Sequence, residues 1–379
     1  MYRTGLAFAL LAAATLGSAQ AQTQVYPDLP TPIKNGTGTL IGQTIYVGLG
    51  TAGNAWFALD LSQPVRQWVP IAPFPDMPRD QAVSAAVDGK LYVFGGIGKA
   101  TPAATTAVFN QVFVYDPAKN AWSQLPTRAP RDIAGGVAVS QGGAVLMFGG
   151  VNRNIFDGYF RDLAASEGNK AEQDQVSRAY FDQRPQDYFL GREVMSFAPA
   201  DNRWKQVDIL PFGGTAGSAL VARGNTLTLL NGEIKPGVRT PAVRQGQVGP
   251  SGLTWRSLPD LVGPAAGEAQ EGLAGAYAGY SHGTLLVTGG ANFPGARAKL
   301  AGGVNYAHEG LTKTWRKDVY ALVGGQWKNV GALPQAQGYG LAVPYGDEVI
   351  LVGGELQGGQ ATPQVMSLEW QGDTLKIRD

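Results

Sequence analysis

The residues best suited to chemistry cluster in one short stretch. Asn231-Gly-Glu-Ile-Lys-Pro-Gly-Val-Arg-Thr240 places one carboxylate, Glu233, within a few residues of two cations, Lys235 and Arg239. An arginine fork grips a carboxylate through two parallel hydrogen bonds, and a glutamate beside it can accept and return a proton. Together they suit acid/base work on a small anionic ligand, although a solvated charged loop would show the same spacing. Other polar residues cluster in two long segments and at the ends of apolar runs: Arg79, Asn152, Asn154, Asn305, His308, Glu309 and Glu355. His308 has a side chain whose unperturbed pKa suits proton transfer near neutrality, though an isolated loop histidine is more often structural.

Composition narrows the chemistry. The chain has no cysteine, which rules out a thiolate nucleophile, a thiolate metal site and a disulfide framework. Thirty Lys and Arg balance 29 Asp and Glu, so no excess charge favours nucleic acid or an anionic membrane. At the N-terminus Arg3, the apolar run Leu6–Leu16 and Ala19-Gln-Ala21 follow the order of a secretory leader. Residues 1–21 are therefore expected to be a signal peptide cleaved near Ala21, and residues 22–379 a single exported domain. The apolar run is too short for a permanent anchor.

The elements that must position these residues are read from a repeat. Six apolar runs end in a glycine turn: Ile45–Gly50, Leu91–Gly96, Val145–Gly150, Leu227–Gly232, Leu285–Gly290 and Val349–Gly354. Tryptophans follow five of them: Trp68, Trp122, Trp204, Trp255 and Trp327. The spacing from Trp68 to Gly96 recurs from Trp122 to Gly150 and from Trp204 to Gly232. An apolar-Pro pair also recurs once per repeat, from Leu29-Pro30 to Leu333-Pro334. Each unit reads as four antiparallel strands: the second ends in the glycines and the outermost carries the Trp. Six such sheets predict an all-β, six-bladed β-propeller, with the tryptophans packing between blades and the glycines keeping side chains out of the channel.

Two units carry insertions between their second and third strands. The one in blade three is expected to be helical, the one in blade five a loop. Strand direction puts both insertions, the glycine ends and residues such as Glu233 and Glu355 on one face, and long loops on such a face often carry function. A structural pairing of Glu233 or Glu355 with Arg79 or Arg131 across the channel is the competing expectation. No Trp stands at the outer-strand position of blade six, so either Leu375-Lys-Ile377 or Thr23-Gln-Val25 could supply that strand.

The chain resembles the kelch-repeat family of bacterial periplasmic N-acetylneuraminate epimerases, which are sialic acid mutarotases, along nearly the whole of its mature length. The resemblance is carried by Pro78-Arg-Asp-Gln81, Gly149-Gly-Val-Asn152, Asn154-Ile-Phe, Gly214-Thr-Ala-Gly217, Asn231-Gly-Glu233 with Lys235-Pro-Gly237 and Arg239-Thr240, and Asn305-Tyr-Ala-His-Glu-Gly-Leu311. A propeller needs neither of the last two motifs, so they are more specific than the glycines. The resemblance implies interconversion of the α- and β-anomers of free N-acetylneuraminate in the periplasm, with no cofactor, by a homodimer. It also implies that Glu233 is the proton acceptor and Arg239 its active-site partner, a role that suits Arg239 to holding the substrate carboxylate. Arg79, Asn152, Asn154, Lys235, Asn305, His308 and Glu309 are then candidates for binding the substrate or supplying the acid.

Other readings use the same surface. A non-catalytic sialic-acid-binding propeller would bind without accelerating anomer exchange. A kelch protein-interaction module fits the export signal poorly. A radical-copper oxidase would need cysteine and more than two histidines. A sialidase would need Asp-box turns, which the chain lacks.

Overall fold

In a computed structural model, residues 25–131, 133–250 and 252–379 are described. The expected leader lies outside them, as do residues 23 and 24 of the alternative outer strand. Six antiparallel sheets follow one another along the chain, four of them four-stranded and the last two five-stranded, each of these being a four-stranded blade with one short extra strand. Their innermost strands are Thr37–Ile41, Val83–Val87, Gly136–Gln141, Ala219–Arg223, Ala274–Ser281 and Leu341–Tyr345. Each pairs through a tight turn with a second strand made of β-branched and apolar residues, for example Lys90–Phe94 and Thr226–Leu230. Runs of this type are buried on both faces, as blades between two neighbours require.

The core consists of layers between blades. Ile45, Val47 and Phe57 of blade one pack with Val343, Ile350 and Val352 of blade six, and five further clusters fill the remaining interfaces. The first and last blades therefore meet, and the propeller is closed. Closure uses the C-terminus: Thr374–Arg378 forms the outer strand of blade six and includes Leu375 and Ile377. The N-terminal segment braces that blade instead, with Val25, Leu29 and Ile33 amides donating to Asp379, Pro363 and Thr362 carbonyls.

The tryptophans do more than fill wedges. The indole N–H groups of Trp68, Trp122 and Trp327 donate to the carbonyls of Pro27, Ala72 and Pro259, and that of Trp204 to the Thr127 hydroxyl. Each acceptor lies beside an apolar-Pro turn, so the two repeated sequence features bond one another. A buried indole N–H usually finds such a partner; that of Trp255 has none.

The strand-end glycines differ in detail from the expectation. A side chain there would strike the inner strand of its own blade, as at Gly96, Gly232 and Gly290, or the next blade, as at Gly149 and Gly289, rather than the channel. A Cβ on Gly149, whose φ is +68°, would lie 2.2 Å from the Thr215 carbonyl oxygen.

At the inner end of each blade one further residue adopts positive φ: Asn35, Gln81, Gly135, Gly217, Gly275 and Tyr339. Their backbones form a closed ring around the axis. Gln81 N donates to Asn35 O, Gly135 to Gln81, Gly217 to Gly135, Gly275 to Gly217, Tyr339 to Gly275 and Asn35 to Tyr339. The distances run from 2.7 to 3.4 Å. The ring forms the floor of the face onto which the second strands open.

Both insertions stand on that face. The blade-three insertion holds two helices, α1 (Arg153–Ala165) and α2 (Lys170–Phe181). The blade-five insertion is not wholly a loop, since it contains a short helix, α3 (Ala296–Ala301).

Candidate active site

Blade four leaves its second strand at Asn231-Gly232, and the chain turns back on itself as a small hairpin. Glu233–Lys235 pairs with Val238–Arg239, and Glu233 lies opposite Arg239 in the register. Pro236 and Gly237 make the turn. Gly237 has φ +82°, and a Cβ there would come within 2.0 Å of His308, so only glycine fits. The Glu233 backbone bonds Ala216 in both directions, at 2.7 and 3.0 Å, which ties the hairpin to the inner ring beside Gly217.

The pairing brings the two predicted catalytic side chains together. A guanidinium nitrogen of Arg239 lies 2.7 Å from a Glu233 carboxylate oxygen. Arg239 is buried at 4% exposure and stacks over the Phe293 ring at 5.0 Å. Burial works against its charge, but Glu233 and Tyr339 outweigh it and hold the guanidinium pKa above its ordinary value. Its Nε and Nη1 are buried and have no hydrogen-bond partner. Buried donors of a cation are costly to leave unmade, and an anionic ligand is the kind of partner that would meet them. Glu233 is partly open to the mouth.

The helical insertion forms one wall. Asn152, Ile155, Phe156, Tyr180 and Tyr188 border a small cavity that reaches Glu233 and Lys235. Burial raises the Tyr180 phenol far above its ordinary range, and the Glu233 charge adds to the shift. The blade-five insertion forms the adjoining wall. Phe181 stacks on Tyr306 at 5.1 Å, Arg178 pairs with Glu309 at 2.7 Å, and the Asp182 carboxylate accepts from the Tyr306 amide. Across the mouth, Glu355 is the blade-six counterpart of Glu233. Burial pushes its pKa up, but Lys34 and Lys313, both at 2.7 Å, overcome that and hold it below the ordinary glutamate value. Asp80 opens onto the same mouth; burial raises its pKa and the Lys34 charge opposes the rise.

The other expected binding residues divide. Arg79 is fully buried. It pairs with Asp76 at 2.5 Å, donates to the Gly95 carbonyl and lies among the Phe74, Phe109 and Phe113 rings. It holds blade two together, so its side chain does not reach the mouth. Lys235 is also fully buried, with Nζ donating to the backbone carbonyls of Phe181, Gln183 and Asn305. It ties both insertions to the hairpin, and burial lowers its pKa to about 8. Asn152 borders the cavity but also caps α1, accepting from the Ile155 amide, while Asn154 lies outside on the exposed groove between α1 and α2. The Asn305 carbonyl is committed to Lys235, and Glu309 to Arg178 on the outer surface.

His308 packs among Phe181, Phe293 and Tyr306. Burial, with the nearby charges of Arg239, Lys235 and Lys299, lowers its pKa to about 4. It is neutral at neutral pH and cannot serve there as an imidazolium acid. Neither carboxylate of the mouth pairs with Arg79 or Arg131; Arg131 pairs with Glu193. Asp80 was expected on this face from strand direction, whereas Lys34, Tyr180, Lys313 and Tyr339 were not anticipated as part of the mouth. Among the described residues no three His, Asp or Glu side chains gather as metal ligands would.

The arrangement offers a proton acceptor, a buried cation with spare donors and a polar, roofed mouth. Comparison with known proteins gives this geometry its context. The N-acetylneuraminate epimerase family model matches residues 26–377. An N-acetylneuraminate epimerase of Haemophilus influenzae (strain PittEE) is 48% identical over 375 residues, covering 99% of each chain. One of Yersinia pestis (strain Pestoides F) is 50% identical over 374 residues, 98% of this chain and 95% of the relative. A solved structure described as that of YjhT superposes with a TM-score of 0.89 at 39% identity, covering 94% of this chain and all of the other. The fold, the site and these full-length likenesses agree: the chain belongs to the N-acetylneuraminate epimerase family.

Proposed function

We propose that this protein is an isomerase that interconverts the α- and β-anomers of free N-acetylneuraminate by acid/base opening and reclosure of the sugar ring. Glu233 takes the proton of the anomeric hydroxyl. Arg239 holds the carboxylate that the same carbon carries. The observation that carries this reading is the 2.7 Å Glu233–Arg239 pair, in which two further Arg239 nitrogens are buried without partners. A substrate carboxylate would meet one of these buried donors through a charge-assisted hydrogen bond. A preorganised cation beside the reacting carbon also stabilises the negative charge that develops as the hydroxyl proton leaves.

Export to the periplasm, with cleavage near Ala21, belongs to the same proposal and is supported by the order of basic, apolar and small residues at the N-terminus. So does assembly as a homodimer, supported by the family resemblance and testable by light scattering.

The decisive measurement follows the methylene proton signals of N-acetylneuraminate by NMR after an α-sialoside is hydrolysed. Wild-type protein is expected to accelerate conversion to the β-anomer. Glu233→Gln should lower that rate by about 100-fold or more, the range for loss of a general base, while retaining substrate binding. Saturable binding with no acceleration by wild-type protein would instead identify a non-catalytic sialic-acid-binding propeller.

A further inference from the structure

Three of the six residues in the inner ring are glycine and a fourth is asparagine, types suited to positive φ. Tyr339 is the bulkiest exception, at φ +59°. Large side chains are rare in that region and tend to mark functional sites. The neighbouring blade makes room for it: a Cβ on Gly275 would lie 2.4 Å from the tyrosine ring.

The ring is held at the site just described. The hydroxyl lies against the Arg239 guanidinium, within electrostatic reach of Glu233 and Glu355. Lys313 Nζ sits 4.4 Å from the ring centroid and 2.7 Å from Glu355. A phenol thus stands beside the carboxylate–arginine pair with a second cation against its face.

We propose that Tyr339 is the acid that works with Glu233, donating its phenolic proton to the ring oxygen as the bond from the anomeric carbon to that oxygen breaks. This inference rests on the mutarotase reading and deepens it. Glu233 takes the anomeric hydroxyl proton, and the electron pair of that bond forms the carbonyl. The pair of the breaking carbon–oxygen bond takes the phenolic proton, leaving an open-chain keto acid and a phenolate between Arg239 and Lys313. After rotation about the bond next to the carbonyl, the new hydroxyl adds to the other face. It returns its proton to the phenolate, and Glu233 returns its own to the carbonyl oxygen. The cycle consumes nothing.

The surroundings suit the role. Burial, with the Glu233 and Glu355 charges, pushes the Tyr339 pKa up to about 12 against the pull of Arg239, so the phenol holds its proton at neutral pH. The two adjacent cations favour the phenolate once the proton has left. Of the other donors nearby, Lys313 is engaged by Glu355, His308 is neutral, and the Tyr180 phenol stacks on Tyr159 in the helical wall rather than against Arg239.

Tyr339→Phe keeps the ring and its packing. It is expected to lower kcat for anomer exchange by about 100-fold or more, with KM within about threefold of wild type. Unchanged kcat, or a change confined to KM, would overturn the assignment. Should that variant not fold, a fluorotyrosine at position 339 gives a second readout: its more acidic phenol should move the alkaline limb of the kcat–pH profile to lower pH, and an unmoved limb would overturn the proposal. Wild-type protein in the same assay separates the two readings. An inactive wild type defeats mutarotation itself; an active wild type with an equally active Tyr339→Phe defeats only the acid.

Discussion

At the scale of single residues, the mouth is organised by which charges are used up and which are spare. Lys235 and Arg79 have their partners inside the fold and Glu309 has its partner on the outer surface, whereas Arg239 keeps two buried donors unmet. His308 is a buried base that stays neutral, and its Nδ1 has no hydrogen-bond partner. Its folded pKa of about 4 lies below the ordinary 6.5, so the unfolded chain binds more protons between these values. Stability should therefore fall as pH drops from about 6.5 to 4, by up to about 3 kcal/mol, and change no further through this group below that. Urea unfolding across this range should show the slope in wild-type protein and a shallower one in His308→Phe.

At the scale of elements, the catalytic hairpin and the two insertions form one unit because Lys235 bonds carbonyls from both. Those of Phe181 and Gln183 lie at and just beyond the C-terminal end of α2, where a cation is favoured by the helix dipole. Lys235→Met would leave three carbonyls unsatisfied in a site that closes over them. It is expected to cost about 3 kcal/mol, to raise amide exchange across residues 170–188 and 303–309, and to raise KM more than it lowers kcat. Protection of those segments at the wild-type level would show that the insertions hold their place without the lysine.

At the scale of the molecule, closure depends on the interface between blades one and six. The segment from Val25 to Lys34 braces it through Tyr26 to Glu348, Leu29 and Ile33 to the blade-six backbone, and Lys34 to Glu355. Removing residues 22–34 takes away those bonds and the buried Tyr26, Leu29 and Ile33 side chains. The truncated protein should melt at least about 10 °C lower, since each large buried side chain contributes roughly 1.5–3 kcal/mol. An unchanged melting temperature would mean that the C-terminal outer strand closes the propeller unaided.

The sequence by itself determined the repeat, and through it the blades: strand-forming runs, glycine stops, tryptophans and proline turns are local signals that recur in register. It also determined the Glu233–Arg239 pair, because a hairpin turn brings residues six apart face to face. Even Tyr339 left a trace. Asn35, Gln81, Gly135, Gly217, Gly275 and Tyr339 each precede the strand-end glycine of their repeat (Gly50 in the first, Gly354 in the last) by the same interval. Aligning the repeats at that position singles out the tyrosine. What only the tertiary structure decided is which charges are free. Arg79 and Lys235 look as available in the sequence as Arg239, and Lys34 and Lys313 look like ordinary surface lysines. The partners of Lys34, Lys235 and Lys313 lie in other blades or insertions, brought near only when the ring closes, while Arg79 is spent on Asp76 and a carbonyl of its own blade. Whether a cation is spent on carbonyls, paired with a carboxylate or left for a ligand depends on distances between residues far apart in the chain, and those follow from packing.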